Sequence, residues 1–154
     1  MSLVSATTSR VAEHTAGHLN LQIQQQIEAN VAYFAEHPDE IDERLDVLDR
    51  EWDIERILEA NAASFSLLGL TLGLTVDRRW LALPVGVAAF LLQHAVQGWC
   101  PPVPLFRRLG VRTAAEIDQE RYALKALRGD FDDLSSGEAR TVRARSALAA
   151  VRAP

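Results

Sequence analysis

Hydrophobic and polar positions alternate at helical spacing at both ends of the chain and give way to unbroken apolar runs in the middle. Leu19, Ile23, Ile27, Val31 and Phe34 recur at steps of three and four. That spacing puts them on one face of a helix, predicted over residues 10–36. Gln22, Gln24, Gln25 and Gln26 keep the opposite face polar. His37-Pro38 predicts the end of this helix, because the residue before proline disfavours the helical region. A second helix is expected from Asp39, with acids in its first turn that suit the helix dipole. Its Ile41, Leu45, Leu48 and Trp52 step by four, three and four, a short coiled-coil-like seam. Trp52 reads as a seam or interface residue, and the helix is expected to run on through Ile54, Ile57 and Leu58.

The middle of the chain has another character. From Ala60 to Val76 there are 17 residues without a formal charge. Asp77-Arg78-Arg79 interrupts, and Trp80 to Phe106 is again uncharged if His94 is neutral. A membrane-spanning helix needs ~20 apolar residues, with a lower limit near 17. Trp80 and Trp99 would stand ~28 Å apart along a helix, which suits indole anchors at the two faces of a ~30 Å hydrocarbon layer. Asp77 is placed to cap the second helix, and Pro84 falls in its first two turns, where a missing N–H costs least. The alternative is a buried helical pair in a soluble protein. A soluble core helix shows a polar face, whereas Leu67 to Val76 offers only Thr71, Thr75 and glycines.

Beyond the apolar runs, Thr113-Ala114-Ala115-Glu116 is a capping box. It predicts a helix to about Arg128, with Ile117, Leu124 and Leu127 inward and Gly129 as the stop. Ser135-Ser136-Gly137 is a candidate hinge. Residues 138–152 are expected to form a last helix bearing Arg140, Arg143, Arg145 and Arg152. This basic tail suits solvent or anionic lipid better than nucleic acid. The expected class is therefore all-α: a two-helix transmembrane hairpin with amphipathic cytoplasmic helices on both sides. The parts are an N-terminal cytoplasmic arm (1–58), the hairpin (59–106, with helices at about 60–76 and 80–100) and a C-terminal helix with basic tail (107–154).

Charge sharpens this division. The net charge is -9 over residues 1–59, +1 over 60–106 and +3 over 107–154. Arg44, Arg50 and Arg56 precede the apolar stretch and Arg107, Arg108, Arg112 and Arg121 follow it, against Arg78 and Arg79 in the turn. The positive-inside rule then places both termini in the cytoplasm. Met1 to Ser9 lacks the cationic opening and apolar core of a signal peptide. A single cysteine excludes an internal disulfide framework and any Cys-rich zinc site.

Candidate chemistry is sparse. Gly69 and Gly73 form a GxxxG, and Ala82 and Gly86 repeat the spacing in the second helix. Small residues let helix backbones approach, either between two copies or within one hairpin. Gln93, Gln97 and Cys100, with His94 beside Gln97, make a polar stripe in the cytoplasmic half of the second helix, and Cys100, His94 and Gln97 form a candidate thiol site. A reactive thiol needs access and thiolate stabilisation, and Arg107 and Arg108 are near in sequence. The competing readings are an inert Cys100 at a helix end and interhelical hydrogen bonding by a neutral His94. One His and one Cys do not make a metal site. There is no phosphate-binding glycine loop, HExxH or nucleophile elbow. No catalytic residue or cofactor is assigned, and the chain is read as non-enzymatic.

The order of features from Asn61 to Arg112 resembles the YgaP-like transmembrane domain family of bacterial inner-membrane modules. A Gly-rich short helix is followed by a charged turn, a Trp- and Gly-bearing second helix, Gly98-Trp99-Cys100-Pro101 and Leu109-Gly110. The flanking blocks 49–56 and 120–128 look like those of a longer proteobacterial subgroup. The resemblance covers roughly a third of the chain. It implies an inner-membrane hairpin that can dimerise, and in some members the hairpin is fused to a rhodanese sulfurtransferase domain. This chain has no second cysteine to serve as a rhodanese nucleophile, so that activity is not carried over. The leading expectation is a homodimeric membrane protein whose cytoplasmic arms dock a partner, in association with sulfur handling. The alternatives are an accessory subunit of a larger respiratory or photosynthetic membrane complex, and a thiol-dependent redox or anion-handling protein using Cys100. The expected partners are the lipid bilayer and a second copy or larger complex, and no nucleic acid.

Overall fold

The computed structural model describes residues 10–132, 147, 148, 150 and 151. The hinge at Ser135-Ser136-Gly137 and most of the expected last helix, with its arginines, lie outside the described residues. Among the described residues every regular element is helical. The order is α1 (Arg10–Glu13), α2 (Gly17–Glu36), α3 (Ile41–Arg50), α4 (Ile54–Thr75), α5 (Ala82–Gln97), α6 (Val103–Arg108) and α7 (Ala114–Arg128). Short 3-10 turns at Pro38–Glu40 and Arg78–Leu81 lead into α3 and α5. The fold comprises two compact units, Met1–Gln22 with Trp52–Ala114 and Ile23–Glu51 with Ala115–Pro154.

Two helical stretches are long and apolar enough to cross a membrane, one ending with α4 at Thr75 and one formed by the 3-10 turn and α5 together, Arg78–Gln97. Asp53 caps α4 by accepting from the Arg56 N–H at 2.8 Å, and Asp77 caps the turn into α5 by accepting from the Arg79 N–H at 2.8 Å. Each cap satisfies an N–H that has no partner inside its own helix. The two helices meet through glycine. A Cβ on Gly69 would lie 2.6 Å from the Pro84 ring, and one on Gly73 would lie 2.5 Å from Leu81. Removing those side chains is what permits the approach. Ala82 is exposed, and a Cβ on Gly86 would meet nothing within 4 Å, so the second small-residue pair has no neighbour of that kind here.

Ile54 and Leu58 at the base of α4 are buried, but further along the pair many large apolar side chains point outward. Leu67, Leu74, Val85 and Leu92 are 66–80% exposed. Polar side chains are satisfied locally: Ser64, Thr71 and Thr75 donate to the carbonyls of Ala60, Leu67 and Thr71 at 2.6–2.8 Å. The 16 residues of α5 rise ~24 Å, and the four of the preceding 3-10 turn add ~8 Å. Trp80 therefore sits in the turn rather than in the helix. Trp99 lies just past Gly98, whose left-handed φ of 76° ends α5. The two indoles bracket α5 but do not share one helix.

Three expectations about the N-terminal helices change. The helix predicted over 10–36 is broken at 14–16, where Thr15 Oγ1 donates to the Val11 carbonyl and Asn20 Nδ2 to the Ala12 carbonyl. The same two carbonyls accept the His14 and Thr15 N–H groups from three residues on, so the four-residue ladder of a continuous helix stops here. The second helix does not run into the apolar stretch, because Glu51 and Asp53 are extended, with ψ of 133° and 167°. Trp52 consequently leaves the seam. It is 47% exposed, with the Arg56 guanidinium 4.4 Å over its ring.

The second unit packs α3 against α7. Ile41, Leu45 and Leu48 are buried with Ile117 and Leu124, and Phe34 of α2 closes the cluster. Arg121 bonds Asp49 and the Leu48 carbonyl, while Arg128 bonds Asp42, so α3 and α7 run antiparallel. Leu127, expected inward, is 44% exposed. It lies in the last turn of α7, and the packed residues of this cluster end at Leu124. Gly129 ends α7 with φ of 91°, as expected from its place after Arg128.

Candidate functional site

The polar groups of the first unit gather where α4 begins and α5 ends. Glu55 lies in the first turn of α4 and His94 in the last turn of α5. Because the chain turns back at Asp77, the two come together. His94 Nε2 lies 2.7 Å from Glu55 Oε2. Arg10 of α1 donates from one guanidinium nitrogen to Glu55 Oε1 at 2.8 Å and from another to the Ala95 carbonyl at 3.3 Å. Each oxygen of the Glu55 carboxylate thus has its own donor, the Arg10 guanidinium on one and the His94 ring on the other.

His94 is 2% exposed, and its Nδ1 is buried without a hydrogen-bond partner. If Nε2 carries the proton and donates to Glu55, Nδ1 is a bare lone pair, which is cheaper to bury alone than an N–H. Gly98 sets the position of α1. A Cβ there would fall 2.6 Å from the Arg10 backbone, so the peptide of α1 rests directly on the end of α5.

Cys100 is 4% exposed and packs with Val11, Ile54, Leu58 and Val103. No hydrogen bond among the described residues joins it to His94 or Gln97, and Gln97 is exposed. The three members of the candidate thiol stripe thus have three different surroundings, and Cys100 is packed within the core of the first unit. Arg107, counted by sequence as an end-of-helix charge, is 1% exposed and donates to Asn20 Oδ1 at 2.9 Å and the Val111 carbonyl at 3.1 Å. Together with the Ile54 N–H bond to the Arg112 carbonyl at 2.9 Å, it ties α2 and the 111–112 segment to the base of α4.

Arg10 and Glu55 were not singled out from the sequence. Their signal is weak but present: Glu55 and His94 lie at comparable distances on either side of the Asp77 turn, as partners in an antiparallel pair must. No group of three or more His, Cys, Asp or Glu side chains among the described residues is placed to hold a metal ion. The arrangement is a clamp: a carboxylate held between a cation and an imidazole, fastening α1, α4 and α5. No family model, curated protein or solved structure matches the chain.

Proposed function

We propose that this chain is a non-enzymatic bacterial inner-membrane protein whose α4 and α5 cross the bilayer as a hairpin. Both termini would lie in the cytoplasm, where the flanking helices dock a partner. The observation that carries this reading is the packing of α4 and α5, which bury Gly69 and Gly73 at their contact and leave Leu67, Leu74, Val85 and Leu92 facing outward. Only 17% and 6% of the residues in the most apolar windows of the two candidate spans are buried. A soluble core helix would be mostly enclosed. The self-bonded hydroxyls of Ser64, Thr71 and Thr75 also suit hydrocarbon, where nothing else can satisfy them.

Self-association would use α5. Gly69 and Gly73 are occupied within the chain, whereas Gly86 opens onto free space beside the exposed Val85. Close packing at such a notch drives association in lipid. Exposed Tyr33, Val47 and Tyr122 on the second unit would meet the cytoplasmic partner. The resemblance to the YgaP-like family makes a sulfur-handling enzyme the first partner to test. Native mass analysis after extraction in mild detergent should give a two-copy particle, and Gly86→Leu should convert it to single copies. A stoichiometric particle containing other membrane subunits would instead establish the accessory-subunit reading.

A further inference from the structure

Beside Cys100 the first unit encloses an open cavity of about 440 Å³. Its walls are Ala62 and Phe65 of α4, Val87 and Phe90 of α5, and Pro102 and Leu105 at α6. Small-molecule sites span ~300–1,000 Å³, so this volume is that of a binding cavity. The wall is almost wholly hydrocarbon. Asn61 reaches it, but its amide already donates to the Ile57 carbonyl at 2.8 Å. The Cys100 thiol is buried among aliphatic side chains. A polar ligand body placed here would give up its hydrogen bonds to water and find few in return. A flexible hydrocarbon chain would lose none.

Charge at the mouth narrows the ligand further. Leu105 lines the cavity and is 57% exposed, so it stands at the rim. Arg108 follows three residues later in the same helix, which puts it on the same face with ~5–6 Å between the Cβ atoms. Arg108 is exposed, and no hydrogen bond or ion pair among the described residues engages it. Its neighbour Arg107 is turned inward and bonded to Asn20 and Val111. One short helix thus presents a hydrocarbon wall and, one turn on, a cation facing solvent. We propose that the cavity takes one acyl chain of an anionic phospholipid, with its phosphate at Arg108. This inference rests on the membrane reading above, which would supply such lipids directly at the mouth. Basic groups near a membrane surface each attract anionic lipid by ~1 kcal/mol.

The test uses the full chain in nanodiscs of phosphatidylcholine with a minor fraction of phosphatidylglycerol, released in the gas phase and weighed. The expected result is one retained phosphatidylglycerol per chain. Ala62→Phe and Val87→Phe, which fill the cavity from opposite walls, should abolish it. Ala63→Phe, exposed and outside the lining, should not. Arg108→Gln should lower the preference over phosphatidylcholine roughly fivefold. Circular dichroism of each variant identifies a filler that has lost its helices, and the other filler then decides. A chain that does not enter the nanodisc sinks the membrane reading and this site with it. A chain that enters but retains no phosphatidylglycerol, or retains it in both filled variants, sinks the site alone.

Discussion

Gly98→Ala is expected to release α1 from the base of the α4–α5 pair. Two costs combine at this position. Gly98 has φ of 76°, in the left-handed region, where a side chain costs ~1–2 kcal/mol. The new Cβ would also fall 2.6 Å from the Arg10 backbone carbon and oxygen, which cannot swing aside as a flexible side-chain end would. Overpacking of this kind costs ~1–3 kcal/mol. Relief comes most easily by lifting α1, which separates Arg10 from Glu55 and uncovers His94. Amides of residues 10–16 should then exchange with solvent faster by at least about 30-fold, the equivalent of ~2 kcal/mol. Arg10→Ala is the milder comparison. It removes an ion pair whose partners are 22% and 32% exposed, so its expected effect is ~1 kcal/mol or less. Unchanged exchange in Gly98→Ala would show that α1 is not held where the structure puts it.

Arg44→Met should loosen the second unit by about 3 kcal/mol. Glu120 is fully buried, and its Oε1 accepts from two nitrogens of Arg44, each at 2.8 Å, and from Asn30 at 3.1 Å. Removing one partner of a buried charge costs ~3–5 kcal/mol, because the carboxylate is already out of water and here would lose two charge-assisted hydrogen bonds. The Asn30 bond and the other interactions of Glu120 survive the substitution and keep the expected cost at the lower end. Protected amides in α3 and α7 should exchange ~100-fold faster, following from ~1.4 kcal/mol per factor of ten. Arg50→Met provides the contrast. Its pair with Asp46 is 76% and 66% exposed and should count for a few tenths of a kcal/mol. An equal response to the two substitutions would contradict the role of Arg44 as a partner of the buried Glu120. The same unit holds a second charge pair at its edge, where the Arg128 guanidinium keeps the Asp130 carboxyl below its usual range.

Local chemistry was the legible part of this chain. His37-Pro38, the Thr113 to Glu116 box and Gly129 mark helix ends through residues that act on their own backbone, and the helices end or begin there. The apolar runs were legible because the length of an uncharged segment is read directly from sequence. The break at Glu51–Asp53 was not, since Ile54, Ile57 and Leu58 continue an apolar periodicity that suits one long helix as well as two. Its signal was Asp53, a capping residue inside the run. The clamp of Arg10, Glu55 and His94 was hidden for a different reason. Periodicity assigns faces within a helix, but which charge meets which across the chain depends on the turn geometry. Glu120 and Arg107 show the same limit: nothing in their local sequence marks them as enclosed, and only packing reveals that they are.

The most direct measurement is labelling from outside the cell. Cys100→Ser removes the one native thiol, and a single cysteine is then introduced at Arg78 in the turn or at Glu28 in α2, both exposed positions. Intact spheroplasts are treated with a membrane-impermeant maleimide, before and after lysis. The expected result is labelling of Arg78→Cys in intact spheroplasts and of Glu28→Cys only after lysis. Labelling of Arg78→Cys only after lysis, alongside Glu28→Cys, would show that the turn never crosses the bilayer and would contradict the hairpin.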